Sequence, residues 1–184
     1  MRSSARPALL IVDMVNAFDF AGARTLLRQA RRIGPRIVSL KRRAAAAGRP
    51  VIYCNDNFGQ WRSDFRALLA RCTEPDRPAR DLVDSIAPGV EDFFVLKPKH
   101  SAFYETPLGS LLEDLGVRRL ILCGIAGDGC IHSTATDAHM REYETVVVRD
   151  ATASQTAARN RNALRHLEQA KYATLCSASH VRFA

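Results

Sequence analysis

The sequence has no cysteine pair at C-x-x-C spacing, and its five cysteines, Cys54, Cys72, Cys123, Cys130 and Cys176, are odd in number and widely separated. That pattern excludes a disulfide framework and a cysteine zinc site, so each thiol is judged by its neighbourhood. No apolar run approaches the roughly 20 residues that span a bilayer. The stretch Ala8–Val12 behind the short basic start, Met1 to Pro7, is too brief for the apolar core of a secretion signal, which points to a cytoplasmic protein. Repeats, linkers and low-complexity tracts are also missing from the 184 residues, as expected of a single domain covering 1–184. Acidic residues are absent from 21–50, where nine Arg and Lys accumulate and account for the net charge of +8. Such a run could serve nucleic acid or a membrane surface, but it holds no aromatic to stack on bases. It reads as the solvated face of a helix in an arginine-rich protein, which makes nucleic acid an unlikely partner.

What is present is an ordinary globular composition, 47% hydrophobic and 25% charged. Short apolar runs rich in Val, Ile, Leu and Phe recur at Ala8–Val12, Val51–Asn55, Phe93–Lys97, Arg119–Cys123, Thr145–Arg149 and Ala173–Cys176. Near-continuous apolar strands suit a parallel sheet covered on both faces. Helical periodicity lies between them, at Ala23–Ala47, Trp61–Ala70, Pro107–Leu115, Cys130–Arg141 and Thr156–Ala170. Gly34-Pro35 is expected to kink or split the first helix, and Thr73–Gly89 to be an irregular surface excursion. The alternation predicts a three-layer α/β/α sandwich.

Ligands of open parallel sheets bind beyond the carboxyl ends of the strands. Three reactive side chains fall there. Asp13 ends the first apolar run, where burial would raise its pKa and a cation lower it; the position also suits a turn or capping aspartate. Lys97 ends the third, with its stem in the core edge. Cys130 follows the fourth, after three glycines within six residues, at the start of a helix whose free N–H groups and dipole favour a thiolate. Cys54, Cys72, Cys123 and Cys176 read as inert. Phe18, Asn55, Trp61, Phe103 and Tyr104 are candidate pocket walls. His100 and His132 flank the motifs without an identifiable partner and read as structural or surface residues, as does Arg62.

These residues resemble the isochorismatase-like cysteine hydrolases, relatives of nicotinamidase and N-carbamoylsarcosine amidohydrolase. The resemblance is carried by 10–18 (LIVDMVNAF), 95–104 (VLKPKHSAFY), 124–131 (GIAGDGCI) and 148–151 (VRDA), in order and across nearly the whole chain. It implies a Rossmann-like sheet of order 3-2-1-4-5-6 and an Asp-Lys-Cys triad at Asp13, Lys97 and Cys130. It also implies a cis peptide at Ile125–Ala126, and an oxyanion hole made by the Ala126 and Cys130 N–H groups. The implied activity is hydrolysis of a small amide or carbamoyl C–N bond through a thioester on Cys130, with Asp13 as acid and base. No cofactor is implied, and a homodimer or homotetramer is expected. Three positions depart from the pattern. Glu105 stands where glycine is frequent, and Gly127 where threonine is common, which would loosen the oxyanion loop. Phe58 replaces a histidine of the nicotinamidase metal site, of which Asp56 remains, so no metal is expected. Competing readings are a vinyl-ether hydrolase of the isochorismatase type, a redox-sensing thiol and a basic nucleic-acid-associated protein.

Overall fold

A computed structural model describes residues 6–183; the basic start before residue 6 lies outside them. Strand β1 (Pro7–Val12) leads through helix α1 (Ala23–Ala46) to β2 (Val51–Asp56). Helices α2 (Phe65–Cys72) and α3 (Arg80–Ile86) precede β3 (Phe93–Lys97). Then follow α4 (Leu108–Asp114), β4 (Arg119–Ile125), α5 (Cys130–Met140), β5 (Glu144–Ala153), α6 (Ala157–Gln169) and β6 (Thr174–Cys176). The six strands form one parallel sheet in the order β3-β2-β1-β4-β5-β6. Chain direction across the sheet reverses at β1, with β2 on one side and β4 on the other, so a crevice opens past the ends of β1 and β4.

Strand side chains alternate between the two faces. Leu9 and Ile11 point to a layer formed by α1, α2 and α3, with Leu26, Ile33, Ile37, Leu82 and Ile86 in one core. Leu10 and Val12 point to α4, α5 and α6, with Leu112, Leu122, Ile131, Ala135 and Leu167 in the other. The sheet is therefore covered on both faces, which is why its central strands are apolar throughout. Among the described residues, no helix is long and apolar enough to cross a membrane.

Strands β4 and β5 run on past their expected ends to Ile125 and Ala153, and the helices depart from the sequence expectation at three places. Helix α1 runs unbroken through Pro35. A proline inside a helix costs about 3 kcal/mol, whereas burying each Leu or Ile of its apolar stripe returns about 1.5–3 kcal/mol. Gly34 assists by leaving room for Leu82 of α3, which a Cβ would strike. Helix α2 starts at Phe65 rather than Trp61, because the Asp64 carboxylate accepts the Ala67 N–H at 2.8 Å and sets the cap there. The segment 73–89 is not irregular throughout. It carries α3, whose Leu82, Val83 and Ile86 are buried in the core that α1 shares.

Candidate active site

Strand ends bring Asp13, Lys97 and Cys130 together. The backbone of Asp13 takes a left-handed turn as it leaves β1, and its N–H donates to the Cys54 carbonyl at 2.9 Å. This turn holds its carboxylate at the crevice. Asp13 Oδ1 accepts the Asp56 N–H at 2.7 Å, and Oδ2 faces Lys97 Nζ at 2.9 Å. Lys97, at the end of β3, is fully buried. Its ammonium also reaches Cys130 Sγ at 3.3 Å, the Lys99 carbonyl at 3.2 Å and Asp56 Oδ2 at 3.8 Å. One cation thus sits between a carboxylate and a thiol, with its remaining protons satisfied, as a buried charge requires.

The electrostatics follow from burial and from this cation. Burial raises the Asp13 carboxyl above the usual carboxylate range, against the charge of Lys97 and hydrogen bonds from Cys130, Lys97 and Asp56. Burial alone would lower Lys97, but the charges of Asp13, Cys130 and Asp56 outweigh it and push the ammonium up to about 12. Burial and then the Asp13 charge push the Cys130 thiol up to about 12, with Lys97 pulling the other way. This works against the thiolate that the start of a helix favours. Cys130 does open α5, but the helix terminus and Lys97 do not overcome desolvation beside a carboxylate. Burial beside the carboxylate thus favours the protonated sulfur, and Lys97 opposes this.

The loop between β4 and α5 holds two free donors. Gly124 passes so close to the Val12 backbone, at φ +119°, that a Cβ would collide with it. The Ile125–Ala126 peptide is cis. Within the loop, the Gly127 N–H donates to the Ala153 carbonyl, Asp128 N–H to Ser154 Oγ, and Gly129 and Ile131 N–H to the Ala126 carbonyl. The Ala126 and Cys130 N–H groups have no acceptor among the described residues.

A cavity of about 760 Å³ opens beside this cluster. Its wall includes Asp56, Lys99, His100, Tyr104, His132 and Asp137. Of the five side chains expected on the wall, Tyr104 is there, half exposed. Phe103 is turned the other way, 5% exposed, with its ring stacked on Tyr143 at 5.7 Å and under the Arg141 guanidinium. Trp61 is 78% exposed over a separate shallow depression with Arg62. Phe18 is buried on the β1–α1 loop, with its N–H on Asn16 Oδ1 at 2.7 Å. Asn55 is buried and donates to the Val15 carbonyl at 2.7 Å, which leaves its Oδ1 unpartnered. These four are not on the cavity wall.

His100 is the neighbour that sequence reasoning passed over. Its Nδ1 lies 3.7 Å from Cys130 Sγ. The signal was its position three residues past Lys97, on the loop that follows β3. His132 also has a partner: its Nε2 sits 2.9 Å from His166 Nδ1 on α6. The residues do not fit a divalent cation of the nicotinamidase type. Asp56 faces Lys97 and accepts the Phe58 N–H at 2.6 Å, and among the described residues no three His, Cys, Asp or Glu side chains converge.

A doubly covered parallel sheet with a carboxylate, an ammonium and a thiol at its crevice has the parts of a hydrolytic site. Residues 7–179 match the family model described as Isochorismatase domain, and the chain belongs to the isochorismatase-like hydrolase family. The uncharacterized isochorismatase family protein YaaI of Bacillus subtilis (strain 168) is 42% identical over 179 residues, covering 97% of this chain and 98% of that protein. Ureidoacrylate amidohydrolase RutB of Enterobacter sp. (strain 638) is 33% identical over 175 residues, covering 79% of this chain and 74% of that protein. The crystal structure of N-carbamoylsarcosine amidase from Thermoplasma acidophilum superposes with a TM-score of 0.75 at 27% identity, covering 96% of this chain and 99% of that one.

Proposed function

We propose that this chain hydrolyses the C–N bond of a small amide or ureido compound through a thioester on Cys130. The observation that carries the reading is Lys97 Nζ, 2.9 Å from the Asp13 carboxylate and 3.3 Å from the Cys130 sulfur. The named activities of RutB and of N-carbamoylsarcosine amidase, both on ureido or carbamoyl compounds, support the substrate class.

Asp13 accepts the thiol proton as Cys130 Sγ attacks the carbonyl carbon. Its raised pKa makes it a stronger base than an ordinary carboxylate, and so better matched to a thiol. Lys97 offsets the negative charge as it passes from carboxylate to sulfur. The unpartnered Ala126 and Cys130 N–H groups receive the developing oxyanion, each donor of this kind being worth about 3–4 kcal/mol. A vinyl-ether hydrolase has no use for a nucleophilic sulfur held in this way.

The test is a panel of small amides, ureas and carbamoyl compounds assayed for ammonia release, with intact mass to trap an acyl adduct. Turnover by the native chain, its loss in Cys130→Ala and Cys130→Ser, and an adduct mapped to Cys130 are the expected results. Full activity in either variant sinks the reading.

A further inference from the structure

Lys97 faces two carboxylates, and the thioester scheme above uses one of them. Asp56 and Lys97 are register partners on the paired strands β2 and β3, so their side chains stand on the same face of the sheet. Asp56 Oδ1 accepts the Phe58 N–H at 2.6 Å, and Oδ2 is left facing Lys97 Nζ at 3.8 Å. Among the described residues, Asp13 and Asp56 are the acids paired with that ammonium. They differ in their access to water. The Asp13 side chain is 8% exposed and that of Asp56 30%, and Asp56 lines the cavity. Burial raises the Asp13 carboxyl, which suits a group that takes up a proton. Water at the cavity supports the charge of Asp56, which suits a group that keeps it.

We propose that Asp56 is a positioning residue, the second counter-ion that holds the Lys97 ammonium in place while Asp13 carries the thiol proton; this rests on the thioester reading. On attack the S–H proton passes to Asp13, the Sγ–C bond forms, and negative charge moves to the substrate oxygen at the Ala126 and Cys130 N–H groups. Asp13 is then a neutral acid until it gives that proton to the departing nitrogen and the C–N bond breaks. The exchange repeats when water attacks the thioester: Asp13 takes a proton from the water, the C–S bond breaks, and the sulfur recovers a proton from Asp13. In both intervals the buried ammonium faces a single carboxylate, that of Asp56. Without it the cation keeps only the Lys99 carbonyl and neutral groups around it, and a buried charge left in that way is costly. The backbone N–H of Asp56 donates to Asp13 Oδ1 at 2.7 Å, a contact that a change of side chain leaves available.

Two measurements test the role, and the first needs no substrate. Asp13→Asn imitates the protonated acid. Urea unfolding at neutral pH is compared for the native chain, Asp13→Asn, Asp56→Asn and the double variant. Groups that share one charge network are coupled, so Asp56→Asn is expected to lower the folding equilibrium constant at least about tenfold more in the Asp13→Asn background than in the native one. The second measurement is kcat and KM for the amide selected by the panel. Asp56→Asn keeps an oxygen for the Phe58 N–H, so a mere turn residue would tolerate it. Both Asp56→Asn and Asp56→Ala are expected to lose at least about tenfold in kcat, with KM within about threefold of native. Formate is expected to restore part of the rate in Asp56→Ala, because position 56 opens to the cavity, and none in Asp56→Asn, where the amide fills the space. Additive unfolding effects, an Asp56→Asn variant as active as native, or no gain from formate in Asp56→Ala overturn the role and leave the thioester reading standing. Native turnover in Cys130→Ala, or a panel with no amide substrate, overturns the thioester reading and this role with it, whatever the unfolding comparison shows.

Discussion

The side-chain oxygen of Asn160 occupies the space that a Cβ at position 127 would fill. Asn160 is fixed there from α6: its Nδ2 donates to the Thr152 carbonyl at 3.0 Å, and its Oδ1 accepts from Ser154 Oγ at 3.2 Å. Ser154 in turn accepts the Asp128 N–H at 3.1 Å, and Arg159 pairs with Asp128. Gly127 therefore makes room for a brace on the loop. A misplacement of about 1 Å near the reacting atoms can cost about 100-fold. Gly127→Ala is expected to lower kcat/KM by at least about tenfold, and adding Asn160→Gly is expected to restore part of it. If the double variant is no better than Gly127→Ala, the two residues do not compete for that space.

Thiol reactivity reports the charges around the sulfur. Cys54, Cys72 and Cys123 are buried, whereas Cys130 and Cys176 are partly accessible. Iodoacetamide is expected to label the latter two, with peptide mapping to tell them apart. The Asp13 charge raises the Cys130 pKa and the Lys97 charge lowers it. Asp13→Asn is therefore expected to speed alkylation of Cys130 at pH 8, and Lys97→Met to slow it. Opposite shifts, or equal rates in all three proteins, contradict the arrangement.

The convergence of Asp13, Lys97 and Cys130 was legible in the sequence because Asp13 and Lys97 end apolar runs and Cys130 follows a third across a glycine-rich loop, and a parallel sheet gathers such positions on one edge. The strand order followed from the same motifs. What the sequence could not show was contact between side chains whose separation it does not encode. The Asn160 brace reaches position 127 from a helix more than thirty residues on, and His132 meets His166 across two helices. Phe103 fell on a motif, but its ring turns to Tyr143, which no periodicity in that loop records. Helix α3 was hidden by the prolines around it, at 75, 78 and 88. The helix terminus at Cys130 was visible in the sequence, while the burial of the sulfur beside Asp13 was not.

Alkaline pH should destabilise the fold. Burial pushes the Cys54 thiol up to about 12 and the Cys72 thiol up to about 11, and Cys130 and Lys97 are also raised to about 12. A pKa raised by folding means that the folded protein keeps protons the unfolded chain has released. Its contribution is whole below the unfolded value and is lost as pH climbs through the folded one. Stability is expected to hold up to about pH 9 and then fall, by at most about 1.4 kcal/mol per pH unit for each fully shifted group. Urea unfolding of reduced protein between pH 8 and 11 measures the slope. Cys54→Ala is expected to flatten it; an unchanged slope means that Cys54 does not titrate in this way.

Removing the buried cation separates stability from chemistry. Lys97→Met leaves the Asp13 carboxylate buried and facing no ammonium, a loss of about 3–5 kcal/mol when one partner of such a pair is taken away. Replacing both charges, as Asp13→Leu with Lys97→Met, removes the unpaired group and is expected to recover most of that loss in urea melts, while amidase activity stays absent. A double variant as unstable as Lys97→Met would mean that the pair, not the stranded carboxylate, is what the fold needs.

The basic run on α1 is partly structural, which its sequence does not reveal because the partners lie far along the chain. Arg31 pairs with Asp81, Arg36 with Asp150 and Lys41 with Asp92. Arg43 donates to the carbonyls of Ala178 and Val181, both at 2.6 Å, and Arg49 donates to the carbonyl of Phe183 at 2.8 Å. Two half-buried arginines thus hold the segment after β6 against α1, where Val181 and Phe183 join the core. Hydrogen bonds to a charged group contribute about 1.5–3 kcal/mol each when buried, and less here because solvent reaches them. Arg43→Ala is expected to speed amide hydrogen exchange through 177–183 while leaving the strands of the sheet protected. Exchange in that segment as slow as in the native chain would show that Val181 and Phe183 anchor it without the guanidinium.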